Sequence, residues 1–298
     1  MNNDLQIDRG VFPVRHLTVD VKGVRIFYRE AGPPNAPVIL LLHGFPSSSR
    51  MFGTLIPLLA PHYRLIAPDF PGFGQSDAPS PNNFRYTFDS LADYVTELLQ
   101  QLNVSRCALY LQDYGGPIGF RLAMAHPERV TALIIQNAVA HAEGLSDAWA
   151  GRKAFWADRY AHEEKVRQTM LSPEGARQRH LAGVLRPELI DPDTWSDEFA
   201  FLTKPGTAEI QLELVYDYRS NVAAYKSWQA YLREHQPPTL VVWGKNDPLF
   251  TIAGAMAYGR DVPNAEIHLL NAGHFALDEE VIAIAALIQR FLSTQNRA

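Results

Sequence analysis

Five short runs in this chain are apolar at nearly every position rather than at every second one: "PVILLLHG", "YRLIAPD", "CALYL", "VTALIIQNA" and "TLVVWG". A strand of that kind must be covered on both faces, which is the habit of parallel sheets flanked by helices. The segments between the runs supply the helices. Thr87 can cap one whose residues Phe88, Leu91, Val95, Leu98, Leu99 and Leu102 share a stripe at spacings of three and four. "SSSRMFGTLIPLLAPHY" reads as a second helix, the stretch from Pro117 as a third and "EVIAIAALIQRFL" as the last. "AEIHLL" adds a strand, and the alternating "HLTVDVKGVRIFYREAG" reads as a hairpin turning at Lys22-Gly23. The expectation is an α/β architecture: a mostly parallel, doubly wound sheet.

The interval 139–238 breaks the alternation, having no clear buried strand. It reads as a helical cap inserted after the sixth core strand, closing over the C-terminal ends of the strands, where open α/β sheets bind ligands. The expected division is a core of residues 1–138 and 239–298 with a cap of 139–238. Trp149, Trp156, Trp195 and Trp228 all fall in the cap. They either face a ligand or build the cap's own core.

Composition removes several classes of function. A net charge of −5 leaves no basic footprint for nucleic acid or an anionic membrane. The polar start "MNNDLQIDRG" does not resemble a secretory signal, and no apolar run is long enough to span a bilayer. Cys107 is the only cysteine, so no intrachain disulfide can form. The histidines show no HExxH spacing and no paired Cys/His ligands, so no metal site is expected. The resulting expectation is a cytoplasmic monomer or homodimer whose partners are water and a small apolar organic substrate.

Three stretches carry the chemistry. In "LQDYGGPIGF" a strand runs into a helix across a sharp turn with Asp113 at its tip, where G-x-S-x-G elbows place serine. Gly115 and Gly116 permit a close backbone approach, and the helix N-terminus favours negative charge at the tip. In "WGKNDPLF" Asp247 follows a buried strand, and in "NAGHFALDEE" His274 follows the next one. The order nucleophile, acid, histidine matches one triad order among several. No competing acid precedes Glu143 in "IIQNAVAHAEG". Ser76 in "GQSDA" is the nearest serine alternative, but no helix begins there.

A carboxylate is already ionised at neutral pH and can attack a saturated carbon without a base. The product is an ester on Asp113, which water then attacks with His274 as base and Asp247 orienting the imidazole. The backbone N–H groups of Phe45 and Tyr114 are the expected holders of the oxyanion. The scheme asks for no cofactor.

Together, "LLHGFPSSS", "APDFPGFGQSDAP", "LQDYGGPIGF", "AMAHPERVTALI", "VVWGKNDPLF" and "AGHFALDEE" resemble the Asp-nucleophile branch of the α/β-hydrolases. That branch holds epoxide hydrolases, haloalkane dehalogenases and fluoroacetate dehalogenases. Dehalogenases usually carry Trp directly after the nucleophile and often Asn after His-Gly; here those positions are Tyr114 and Phe45. Tyr114 also stands where fluoroacetate dehalogenases have an arginine for the substrate carboxylate. "VYDYRSN" in the cap is similar to a segment whose Tyr supports the leaving oxygen or halide, a role the resemblance assigns to Tyr218 unless it only packs. Trp156 falls where fluoroacetate dehalogenases hold halide. The second phenol of epoxide hydrolases matches Phe155, with Tyr160 one turn on as a substitute. The resemblance implies epoxide hydrolysis to a diol, narrowly ahead of haloalkane or haloacid dehalogenation. From another class, a cofactor-free luciferase-type oxygenase resembles this same branch; a receptor on the hydrolase fold would be signalled by loss of a triad member, and none is lost.

Overall fold

The alternating segment near the start forms β1 (Arg15–Val21) and β2 (Val24–Ala31) in the computed structural model, which describes residues 12–295. The polar start read above, Met1–Gly10, lies outside them. Lys22 and Gly23 join the two strands with φ of 52° and 81°, the left-handed pair that a two-residue hairpin of correct twist requires.

The continuous apolar runs become β3 (Val38–Leu42), β4 (Arg64–Pro68), β5 (Cys107–Gln112) and β6 (Val130–Gln136), with α1 (Leu55–Leu59), α2 (Phe88–Gln101) and α3 (Gly115–Ala125) between them. Thr87 caps α2 by accepting the Ser90 N–H at 3.1 Å. The single helix expected over "SSSRMFGTLIPLLAPHY" is instead a 3-10 turn, Ser49–Phe52, followed by the five-residue α1. The Ser49 N–H is tied to Asp69 Oδ1 at 2.7 Å beyond β4, and Gly53 closes the turn onto the Arg50 carbonyl, so one axis cannot run through.

After β6 the chain adds no strand until β7. The interval folds as α4 (Ala150–Ala157), α5 (Arg159–Met170), α6 (Pro173–Leu181), α7 (Asp193–Leu202) and the long α8 (Thr207–His235). The core then resumes with β7 (Thr239–Gly244), α9 (Ile252–Asp261), β8 (Glu266–Leu270) and α10 (Ala276–Gln295).

Among the described residues eight strands lie in the order β1-β2-β4-β3-β5-β6-β7-β8. The β1–β2 and β2–β4 pairs are antiparallel and the rest parallel. All six residues of β5 are buried, and successive ones feed opposite faces. Ala108 and Tyr110 join a core with α1 and α10 residues such as Ile56, Ile288 and Phe291. Leu109 and Leu111 join the larger core that runs through α2, α3 and α9 into the cap. Trp228, 1% exposed, stacks on Phe120 with centroids 5.0 Å apart, so this indole is core material. Among the described residues no helix is long and apolar enough to cross a membrane.

This topology positions the chemistry. Gln112 pairs with Gln136, Gln136 with Val242, and Gly244 with Leu270. The loops that leave β5, β7 and β8 therefore emerge side by side at the C-terminal edge, under the cap.

Candidate active site

Asp113 adopts φ 47°, a strained value for a non-glycine residue that lets the chain reverse abruptly from β5 into α3. The reversal presses α3 against β3: a methyl group on Gly115 would stand 2.1 Å from the Leu42 carbonyl oxygen. Asp113 Oδ1 accepts the Phe45 N–H at 2.7 Å, and the Tyr114 N–H also favours the ionised carboxylate. The carboxylate is 6% exposed. Burial pushes its pKa up from the ordinary value, while His274, the two N–H groups and Arg152 pull against that rise.

Asp247 sits three residues beyond β7. Its Oδ1 accepts the Leu249 N–H at 2.7 Å, and its Oδ2 accepts Asn137 Nδ2 at 2.8 Å. Asn137 is held in turn by the Gly244 N–H, 2.8 Å from Asn137 Oδ1. Oδ2 also lies 2.7 Å from His274 Nδ1, which assigns that nitrogen as the proton-bearing donor. Nε2 is left facing Asp113 Oδ2 at 3.8 Å, beyond direct hydrogen-bond range, with the Gln112 side-chain amide nitrogen at 3.2 Å. Burial lowers the His274 pKa, but Asp247 and then Asp113 more than offset it, and the imidazole ends above its usual value.

Tyr218 enters from α8 and is 2% exposed. Its ring meets Trp149 at 4.6 Å, Phe88 at 5.6 Å and Tyr114 at 5.9 Å, and it borders a constricted chamber of about 20 Å³ over Asp113. Burial drives the phenol's pKa upward, with Tyr225 and Asp113 adding to the rise, so it stays a proton-bearing donor.

Trp156 departs from its expected role. Its indole N–H donates to the Val215 carbonyl at 2.7 Å and its ring stacks on Tyr218, so the donor is spent on backbone. Trp149 borders the chamber, but its N–H donates to the Leu249 carbonyl at 3.1 Å. Phe155 is fully buried against Tyr216, while Tyr160 is 98% exposed and cannot stand in as a second phenol. Ser76 is structural: its hydroxyl donates to the Asp69 carbonyl and accepts the Phe27 N–H.

Four site residues escaped the sequence reading. Gln112 and Asn137 immediately follow or end buried strands, a position that could have marked them. Arg152 and Arg179, on α4 and α6, gave no such signal. Both border the inner chamber and also a wider cavity of about 420 Å³ that opens among α4, α5 and α6. Burial pushes the Arg179 guanidinium down to about 10, with Arg152 among the lesser contributors.

A family model described as alpha/beta hydrolase fold matches residues 37–281. A Saccharomyces cerevisiae protein named uncharacterized hydrolase YNR064C is 42% identical over 267 residues, spanning 88% of this chain and 91% of that one. A haloalkane dehalogenase of Mycolicibacterium paratuberculosis is 30% identical over 286 residues, 93% of this chain and 89% of its own. The crystal structure of haloalkane dehalogenase DbeA from Bradyrhizobium elkani superposes with a TM-score of 0.81 at 24% identity, covering 96% and 99% of the two chains. At that identity it speaks for the fold alone.

Proposed function

The chain belongs to the α/β hydrolase fold family, and from that premise we propose that it hydrolyses an epoxide to a diol through an alkyl ester on Asp113. One observation carries the reading: Asp113 Oδ1 accepts the Phe45 N–H, the Tyr114 N–H also acts on the carboxylate, and Oδ2 faces His274 Nε2 at 3.8 Å. Oδ2 attacks the epoxide carbon, the carbon–oxygen bond of the ring breaks, and Tyr218 donates to the departing oxygen. Both nearby indole N–H groups are committed to backbone, while the Tyr218 phenol borders the same chamber as Asp113, which suits it as the donor to that atom.

Alkylation then prepares its own second step. Asp113 is one of the charges that raise the His274 pKa, and esterification removes that charge. Loss of that charge lowers the imidazole's hold on a proton and favours the neutral, basic form when water must be activated, any proton on Nε2 passing to solvent. Water attacks Cγ of the ester, the oxyanion develops on Oδ1 within the N–H pair, and collapse expels the diol with the proton from His274. The acid left on Asp113 returns its proton to Tyr218.

His274→Gln tests the reading. It should halt after the first step and leave one substrate mass on the Asp113 peptide, seen by intact-protein and peptide mass spectrometry. A variant that binds epoxide but never gains that mass sinks it. A second reading, dehalogenation by the same attack, draws on the name of the 30%-identical relative. A parallel screen for diol and halide release separates the two.

A further inference from the structure

Arg50, Arg64, Arg121, Arg159, Arg233 and Arg290 each meet a carboxylate oxygen. Arg152 and Arg179 do not: among the described residues no carboxylate oxygen comes within 4.0 Å of either. The Arg152 guanidinium lies over the Trp149 ring at 4.8 Å and reaches only the Ala148 carbonyl, at 3.4 Å. Arg179 lies over the Phe45 ring at 4.7 Å and donates Nη2 to the Met170 carbonyl. Its Nη1 is buried without any acceptor.

An unpaired donor on a buried cation is costly, and two guanidiniums bordering one narrow chamber also repel each other. Both costs vanish if an anion enters between them. We propose that Arg152 and Arg179 form a cradle for a substrate carboxylate, so that the molecule attacked by Asp113 is a short epoxy acid of the glycidate type. The inference rests on Asp113 as nucleophile and replaces the apolar substrate expected from sequence with an anionic one.

Size and charge agree. The inner chamber of about 20 Å³ admits only a small electrophilic carbon beside Asp113, and the arginines stand where it joins the 420 Å³ cavity. Asp113, Arg152 and Arg179 all border that one chamber, so a short acid can meet all three. Two guanidiniums offset the carboxylates that act on them, Asp113 and Glu198, so an anion is not repelled. A guanidinium fork also matches carboxylate geometry. The cradle comes from cap helices α4 and α6, not from the residue after the nucleophile, which is Tyr114.

The first test needs no variant. Glycidate and glycidamide have nearly the same shape, and wild-type kcat/KM should favour the acid by on the order of a hundredfold. Arg152→Gln and Arg179→Gln should each shrink that ratio about tenfold or more, chiefly through KM. An amide used as well as the acid overturns the cradle. So does a ratio the variants leave unmoved, since the arginines would then serve Asp113 itself. Calorimetry supplies a readout free of chemistry: propionate should bind the wild-type chain, and propionamide should not. Absence of propionate binding overturns the proposal, and methylphosphonate binding more tightly than propionate overturns its commitment to carboxylate. If propionate binds while His274→Gln gains no mass from either epoxide, the cradle stands and the Asp113 reading falls. If glycidamide alkylates His274→Gln while propionate does not bind, the reverse holds.

Discussion

On the sheet side of the cavity, hydrogen-bonding capacity is nearly used up. Asp247 takes Leu249 N–H, Asn137 and His274, Asn137 is pinned by Gly244, and Asp113 takes two backbone donors. The exception is Gln112 Oε1, which has no partner beside the His274 ring. Turning that amide over would present the oxygen to a protonated Nε2, so one side chain can serve both charge states. On the cap side the balance reverses. Among the described residues Arg179 Nη1 is buried without a partner, and no carboxylate oxygen lies within 4.0 Å of Arg152 or Arg179. A satisfied floor holds reacting groups still whether or not substrate is present. An unsatisfied roof is completed by what binds, which is where selectivity resides.

Removing the floor's central group should have the largest effect on rate and almost none on the fold. Asp113→Ala should abolish turnover, by at least ~10⁴-fold, since no other attacking group is arranged. Its melting temperature should change little, because relief of the buried charge offsets the Phe45 N–H left without an acceptor. A folded variant with near-normal activity breaks the comparison at its base.

Tyr218→Phe probes the roof. An epoxide oxygen leaves as a strong base and needs a donor, so loss of the phenol should slow single-turnover alkylation in the His274→Gln background by about a hundredfold, or ~3 kcal/mol. Halide departure needs less help and should slow only modestly. Unchanged epoxide opening would reduce Tyr218 to packing and transfer the preference to dehalogenation.

The smallest effect should come from the joint between roof and floor. His180 of α6 is 3% exposed and lies 2.8 Å from Asp278 of α10 and 3.0 Å from Glu198 of α7, stacked on Phe275. Burial opposes its protonation, but the two carboxylates prevail and raise it from 6.5 to about 9. A folded pKa above the unfolded one means the contribution is complete below about 6.5 and lost as pH climbs through about 9. Wild type should therefore lose about 3 kcal/mol more stability than His180→Gln between pH 6 and pH 9.5, read from thermal melts. Parallel pH curves would show that this joint carries no such charge.

The floor was legible in the sequence because each piece has a local signature. β5 announces itself by the continuous apolar run "CALYL", the elbow by glycines after Asp113, and Asp247 and His274 by their places just past strand ends. The roof was not. Trp156 looks available until the Val215 carbonyl takes its N–H, and Tyr160 looks like a spare phenol until α5 turns it outward. The helix expected before β4 failed for a related reason: Ser49 bonds to Asp69, a partner twenty positions away that periodicity cannot see.

Sequence by itself determined the strands, their order of use and the chain order of the triad, because alternation, burial and turn chemistry act between near neighbours. Only the tertiary structure decided which cap side chains see substrate. Arg177 and Arg179 sit two residues apart in "PEGARQRHL", a helix with too few apolar residues to mark a buried face. Arg177 ends 48% exposed beside Glu174, and Arg179 ends in the cavity over Phe45. What separates them is the surface α6 packs against, and that surface is made by the rest of the chain.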